Sequence, residues 1–127
     1  MESTIYDYAK ICNQVQNLDS KIRFVGVLNE RGKLVSGGMK EGIQSFKSDK
    51  YEETLFTELA LRVKKRKEFD SQLGQVKFSM SLRNRALAMS FPIGNYILYV
   101  YAEPDADYKE LPEKILGIIQ DYNFNFS

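Results

Sequence analysis

Chemistry near neutral pH usually rests on histidine, on paired cysteines or on converging carboxylates, and this 127-residue sequence offers few of them. It contains no histidine and one cysteine, Cys12. A Ser-His-Asp triad, a Cys-His pair and a histidine-ligated metal centre are therefore ruled out. A lone cysteine forms neither an internal disulfide nor a thiolate zinc site. The seventeen Asp and Glu residues do not fall into the spacing of a calcium loop, and no recognisable motif places two of them as an acid–base pair. The residues predict a protein without catalytic centre, metal or cofactor, one that acts by binding.

Four features remain that could bind. The first is Cys12 itself, on an apolar stripe with no evident cationic neighbour to lower its pKa, which reads as a small buried hydrophobe rather than a reactive thiol. The second is the glycine-rich stretch opening at Gly37-Gly38 and running through Gly42, Gln44 and Ser45. It lies between a strand and a helix but matches neither a dinucleotide fingerprint nor a P-loop, so it reads as a connection. The third is the basic cluster Arg62, Lys64, Lys65, Arg66 and Lys67, a candidate site for an anion such as RNA or a lipid surface. It also suits the negative end of a helix dipole, and Glu68 and Asp70 dilute it. The fourth is a set of aromatic and apolar residues, Tyr96, Tyr99, Tyr101, Phe78 and Met80, that could line the pocket of a small-molecule sensor or could simply be core.

The elements that would position these residues follow from periodicity. Ile5, Tyr8, Cys12, Val15 and Leu18 recur every three or four positions and predict a first helix, capped by Ser3 or Thr4. Ile22–Leu28 reads as a strand that is apolar on both faces except at Arg23, hence central. Asn29-Glu30-Arg31-Gly32 is a turn, and Lys33–Ser36 returns as a second strand. A second helix starts at Ser48 or Asp49 and runs to about Phe69, with Leu55, Phe56, Leu59, Ala60 and Val63 on its apolar face. Gln75–Leu82 then alternates strictly, predicting a third strand with one polar face. Ala86–Phe91 and Tyr96–Tyr101 follow, the last apolar on both faces. Pro92–Asn95 is the turn between them. A final helix begins between Asp107 and Pro112 and buries Ile115, Leu116, Ile118, Ile119 and Tyr122. The tail Asn123–Ser127 alternates aromatic and polar residues.

Length and composition suit one domain covering residues 1–127, with 43% hydrophobic residues and a net charge of +1. That charge gives no global signal for nucleic acid. No run reaches membrane-spanning length and none reads as a signal peptide, so the cytoplasm is the expected location. The order α-β-β-α-β-β-β-α places the doubly apolar strands one and five at the centre. It predicts an α/β (α+β) domain of three α/β/α layers. Its five-stranded, mostly antiparallel sheet would have the order 2-1-5-4-3, a profilin-like architecture.

The hairpin Phe24–Ser36, followed by a long helix, a three-stranded meander and a last helix, resembles roadblock / dynein light chain domains. Leu59-Ala60-Leu61-Arg62-Val63, Arg66–Asp70 and Met89-Ser90-Phe91-Pro92 also resemble a family of small uncharacterised archaeal proteins. The roadblock resemblance implies a homodimeric scaffold or signalling module without enzymatic activity that binds or regulates a small Ras-like GTPase. It further implies pairing through the second helix and third strand, here at Leu55, Leu59, Gln75, Lys77, Phe78, Ser79 and Ser81. An exposed edge in strand three, carrying only Lys77 as a charge, fits that expectation.

Overall fold

The computed structural model describes residues 5–40 and 49–122. Its elements run α1 (Ile5–Gln16), β1 (Ile22–Leu28), β2 (Leu34–Met39), α2 (Asp49–Arg66), a 3-10 turn (Lys67–Phe69), α3 (Asp70–Leu73), β3 (Ser79–Leu82), β4 (Leu87–Ile93), β5 (Tyr96–Ala102) and α4 (Leu111–Gln120). The expected caps Ser3, Thr4 and Ser48, the residues Gly42, Gln44 and Ser45, and the tail from Asn123 lie outside the described residues.

The five strands form one sheet in the order β2-β1-β5-β4-β3, and every neighbouring pair is antiparallel. The predicted order therefore holds, with β1 and β5 central. β1 is buried at every position but Arg23, and β5 at every position but Tyr96.

Two apolar layers flank the sheet. On one face Ile11 and Val15 of α1 and Ile115 and Ile119 of α4 pack on Val25, Val27, Met89, Phe91, Leu98 and Val100. On the other, Phe56, Leu59, Ala60 and Val63 of α2 pack on Phe24, Leu28, Ile97, Tyr99 and Tyr101. Alternation along β5 sends odd-numbered residues to α2 and even-numbered ones to α1 and α4, the period-two rule of a strand. α4 is introduced by Asp107, whose Oδ1 accepts hydrogen bonds from the backbone N–H of Lys109 (3.1 Å) and Glu110 (3.2 Å). Pro112 falls in the first turn of the helix, where a missing N–H costs no intrahelical bond.

Four boundaries differ from those expected. α2 gives way to the 3-10 turn at Lys67, short of the expected Phe69. β2 continues through Gly37 and Gly38, which pair with Gly26 and Val25 of β1, so the loop does not open there. Gly37 is required at that point. Its φ is +85, and a Cβ would lie 2.1 Å from the carbonyl oxygen of Val25 and 2.9 Å from the Cys12 sulfur. The glycine pair thus lets an edge strand lie directly on α1. β3 starts at Ser79 rather than Gln75, because only Ser79–Leu82 finds partners on β4, at Ser90–Leu87. β4 in turn runs on through Pro92 to Ile93. Its β3 side is unpaired beyond Ser90, and such edge positions accept a proline.

The β1–β2 turn fixes α2 lengthwise. The side chain of Asn29 accepts the N–H of Arg31 at 2.9 Å and of Lys33 at 3.0 Å, closing the turn. Gly32 at φ +81 lies against the helix so closely that a Cβ would come within 2.5 Å of the carbonyl oxygen of Phe56. Gly32→Ala is expected to destabilise the fold by more than about 2 kcal/mol, combining backbone strain with that clash. Gly74→Ala, at φ +84 and ψ 167 with nothing within 4 Å, should show only the strain, about 1–3 kcal/mol. Urea unfolding midpoints measure both, and equal losses would mean that the turn does not hold the helix.

Candidate functional site

The aromatic residues beneath α2 decide which part of the sheet the helix covers. Phe24 stacks on Tyr101 with ring centroids 5.0 Å apart and an interplanar angle of 3°. Phe56, from α2, lies 5.6 Å from Phe24 and 5.8 Å from Tyr99. These contacts draw α2 over β1 and β5, since large rings provide the contact area that aligns a helix on a sheet. The α2 side of β4 and β3 carries the short side chains Ala88, Ser90, Ser79 and Ser81, which leave a gap to the helix bridged by Arg66 at Ser79. A groove of about 550 Å³ results, walled by Tyr51, Leu55, Leu59, Arg62 and Arg66 of α2 and floored by those small residues. Arg83 and Arg85 of the β3–β4 turn close its rim.

The lining of the groove carries cations, while Glu52 of α2 acts on the Tyr101 hydroxyl from beside it. Four arginines line it, and no aspartate or glutamate does. None of these arginines has a carboxylate within ion-pair distance among the described residues. Arg66 donates from Nη1 to the Ser79 hydroxyl at 2.6 Å, which fixes its guanidinium beside the sheet. Behind it, a second, small cavity of about 60 Å³ lies among Val63, Arg66, Asp70, Ser79 and Ser90, room for a water molecule or two. Burial pushes the Tyr99 phenol above its ordinary value of 10, while Arg62 and Arg83 pull it back, placing both cations in the field of that hydroxyl.

The residues singled out by sequence are distributed as follows. Of the basic cluster, Arg62 and Arg66 face the groove, whereas Lys64 and Lys65 are exposed on α2 and Lys67 borders the small cavity. Arg83 and Arg85, which no sequence pattern singled out, complete the set of groove arginines. The aromatic set is split: Tyr99, Tyr101 and Met80 line the groove, whereas the other two do not. Tyr96 packs against Tyr8 of α1 at 5.3 Å and Phe78 against Phe91 at 5.8 Å, on the face opposite Tyr99 and Tyr101, so the sheet divides it. Among the expected pairing residues, Leu59 is buried and Phe78 half-buried against the core. Gln75 and Lys77 are exposed just before β3, and Ser79 and Ser81 lie along its free edge. That edge also exposes Met80 (41%) and Leu82 (54%).

Among the described residues no group of three or more potential metal ligands occurs, and no helix is long and apolar enough to cross a membrane. Cys12 is buried beneath β1 and β2, and burial pushes its thiol up to about 12.

The sequence matches one family over residues 1–126, a family of unknown function (DUF6659), and the chain belongs to it. No functionally curated protein matches. Among solved structures the chain is similar to a roadblock/LC7 domain from Streptomyces avermitilis, at 11% identity and a TM-score of 0.66, over 89% of this chain and 92% of that one. It is equally similar to the gliding protein MglB from Thermus thermophilus, at 12% identity and 0.66, over 96% of each chain. A third likeness is to MglB in a tetrameric arrangement, at 13% identity and 0.66, over 95% and 94%. At these identities the likeness establishes the roadblock fold.

The raised Cys12 value carries a stability consequence. A thiol whose folded value exceeds the ordinary 9.0 stabilises the fold fully below pH 9, and that contribution is lost as pH rises toward 12. Cys12→Ala should therefore flatten the alkaline limb of the stability–pH curve measured by urea unfolding. A thiol reagent at pH 8 should label the protein only at its unfolding rate, and fast labelling would contradict the burial.

Proposed function

From membership in this family and the roadblock fold, we propose that the chain is a non-catalytic scaffold that pairs with a second copy through β3 and α2 and holds a Ras-like GTPase. The observation that carries the reading is the free β3 edge, four residues long, with Met80 and Leu82 exposed on it. Such an edge offers unpaired N–H and C=O groups, and proteins generally block or pair them. β3 itself contains no lysine and no proline, the residues that most often protect an edge.

α2 complements the edge. Its outer flank exposes Tyr51 (57%), with Leu55 and Glu58 beside it. Along its length charge inverts, from Glu52, Glu53 and Glu58 to Arg62, Lys64, Lys65 and Arg66. Two such helices placed antiparallel about a two-fold axis bring acidic halves against basic ones, which parallel helices do not. The tetrameric arrangement of MglB is consistent with a fold that presents its edges to other copies. The GTPase partner rests on the family resemblance and on the lack of catalytic groups in the sequence.

Light scattering behind a sizing column should give twice the 14.7 kDa of the chain. Met80→Lys with Leu82→Lys, both at exposed positions, should return the mass to one chain without lowering thermal stability. A wild-type monomer at high concentration would end the pairing proposal. For the partner, the purified dimer should co-elute with a Ras-like GTPase from its own cell or change that enzyme's GTP turnover. Neither effect with any such GTPase would end that half of the reading.

A further inference from the structure

The strict alternation of Gln75–Leu82 outruns the strand it predicts, since only Ser79–Leu82 pairs with β4. The chain does not swing away before Ser79. Residues 74–78 run without turn or bend. Phe78 stacks on Phe91 at 5.8 Å, the residue that the β3–β4 register, carried one step further, sets opposite it. At the next step Lys77 comes opposite Pro92, which has no N–H to give, and the ladder stops. Among the described residues the main chain of Val76, Lys77 and Phe78 makes no hydrogen bond. A proline thus blocks the inner side of this segment, and its outer side prolongs the free edge of β3.

The β3–β4 turn sets which main-chain groups point outward. Arg83 donates its N–H to the carbonyl of Ala86 at 2.8 Å. Hydrogen bonding alternates along an antiparallel strand, so Ser81 and Ser79 also face β4, while Leu82 and Met80 direct N–H and C=O outward. Carried back along a straight chain, the same rule turns Phe78 and Val76 outward.

We propose that the strand which pairs with a second copy is Val76–Leu82, antiparallel to itself with Ser79 on the two-fold axis, so that pairing lengthens β3 beyond its present four residues. The inference rests on the pairing reading above and gives it a register. A two-fold axis perpendicular to the sheet leaves each side chain on its own face, so even positions must oppose even ones and odd positions odd ones. With the axis at Ser79, Phe78 opposes Met80 of the second copy, Val76 opposes Leu82, and Lys77 opposes Ser81. The exposed Met80 and Leu82 then gain apolar neighbours, and the one charge in the strand meets a hydroxyl. Other axes fit less well. An axis at Met80 sets Lys77 opposite Arg83, a pair of like charges. One at Phe78 sets Leu82 opposite Gly74, which has no side chain to cover it. One at Ser81 sets Ser79 opposite Arg83 and leaves Phe78 beyond the strand.

Cysteine cross-linking reads the register. Residues that oppose one another without exchanging hydrogen bonds lie about 4.5 Å apart at Cα, within reach of a disulfide. Ser79→Cys, oxidised with copper phenanthroline, should yield a covalent dimer. Ser81→Cys lies about 13 Å from its own copy in this register and should yield less than about one-tenth as much. Wild type, whose single cysteine is buried, should yield none. Hydrogen exchange reads the lengthening in the unmodified chain. The amides of Phe78 and Val76 should exchange at least about tenfold more slowly in the wild-type dimer than in the Met80→Lys, Leu82→Lys protein. A dimer by mass in which Ser79→Cys does not outpace Ser81→Cys, or in which the Phe78 amide exchanges as fast as in the edge-blocked protein, overturns the register and leaves pairing itself standing. A wild-type monomer ends the pairing reading and this one with it.

Discussion

The packing of Phe24 against Tyr101, Tyr99 and Phe56 is the interaction on which the rest of this structure depends. It joins β1, β5 and α2 through rings whose centroids lie 5.0–6.0 Å apart. Aromatic pairs at such distances add to simple area burial, and here they sit at the centre of the sheet. Because α2 is committed to β1 and β5, it cannot cover β4 and β3. The groove and the exposed edge both follow from that commitment.

The opposite face has no such asymmetry. α1 and α4 lie side by side over Val25, Val27, Leu98 and Val100, and aliphatic side chains fill the layer around Phe91. Cys12 belongs to this layer, and its raised pKa is a consequence of packing rather than a sign of chemistry. One face is thus a closed core, and the other combines a core on one half with an open surface on the other. On the open half, polar side chains can meet another molecule without leaving a buried group unpaired.

The charge distribution fits this division. The net charge of +1 hides a local field, since four arginines gather where no acid lines the groove. The ion pairs lie away from it, Lys21 with Asp105, Arg23 with Glu103, Lys33 with Glu53 and Lys114 with Glu110. Three of these are exposed pairs of little energetic weight, so a balance of total charge says nothing about where a partner binds.

The fold was legible in the sequence because its signals are local. β1 is apolar at nearly every position and returned the boundaries Ile22–Leu28 unchanged, and α1, α2 and α4 show helical stripes. Burial needs then left one economical strand order. The edges of elements were less legible. Gly37 and Gly38 look like a loop in isolation and become strand only because β1 lies beside them, and the pattern Gln75–Phe78 alternates without a strand to pair with. The candidate site was half legible. Arg62 and Arg66 stood out as part of a basic run, but Arg83, Arg85, Ser90 and Tyr99 join them only when the β3–β4 turn folds back toward α2. No spacing encodes that meeting, because it depends on the tilt of a helix set by Phe24 and Phe56, residues far apart in the chain. The sequence alone determined the layers and their order, through periodic burial; the tertiary structure decided which surface stays open, through the packing of a few large rings.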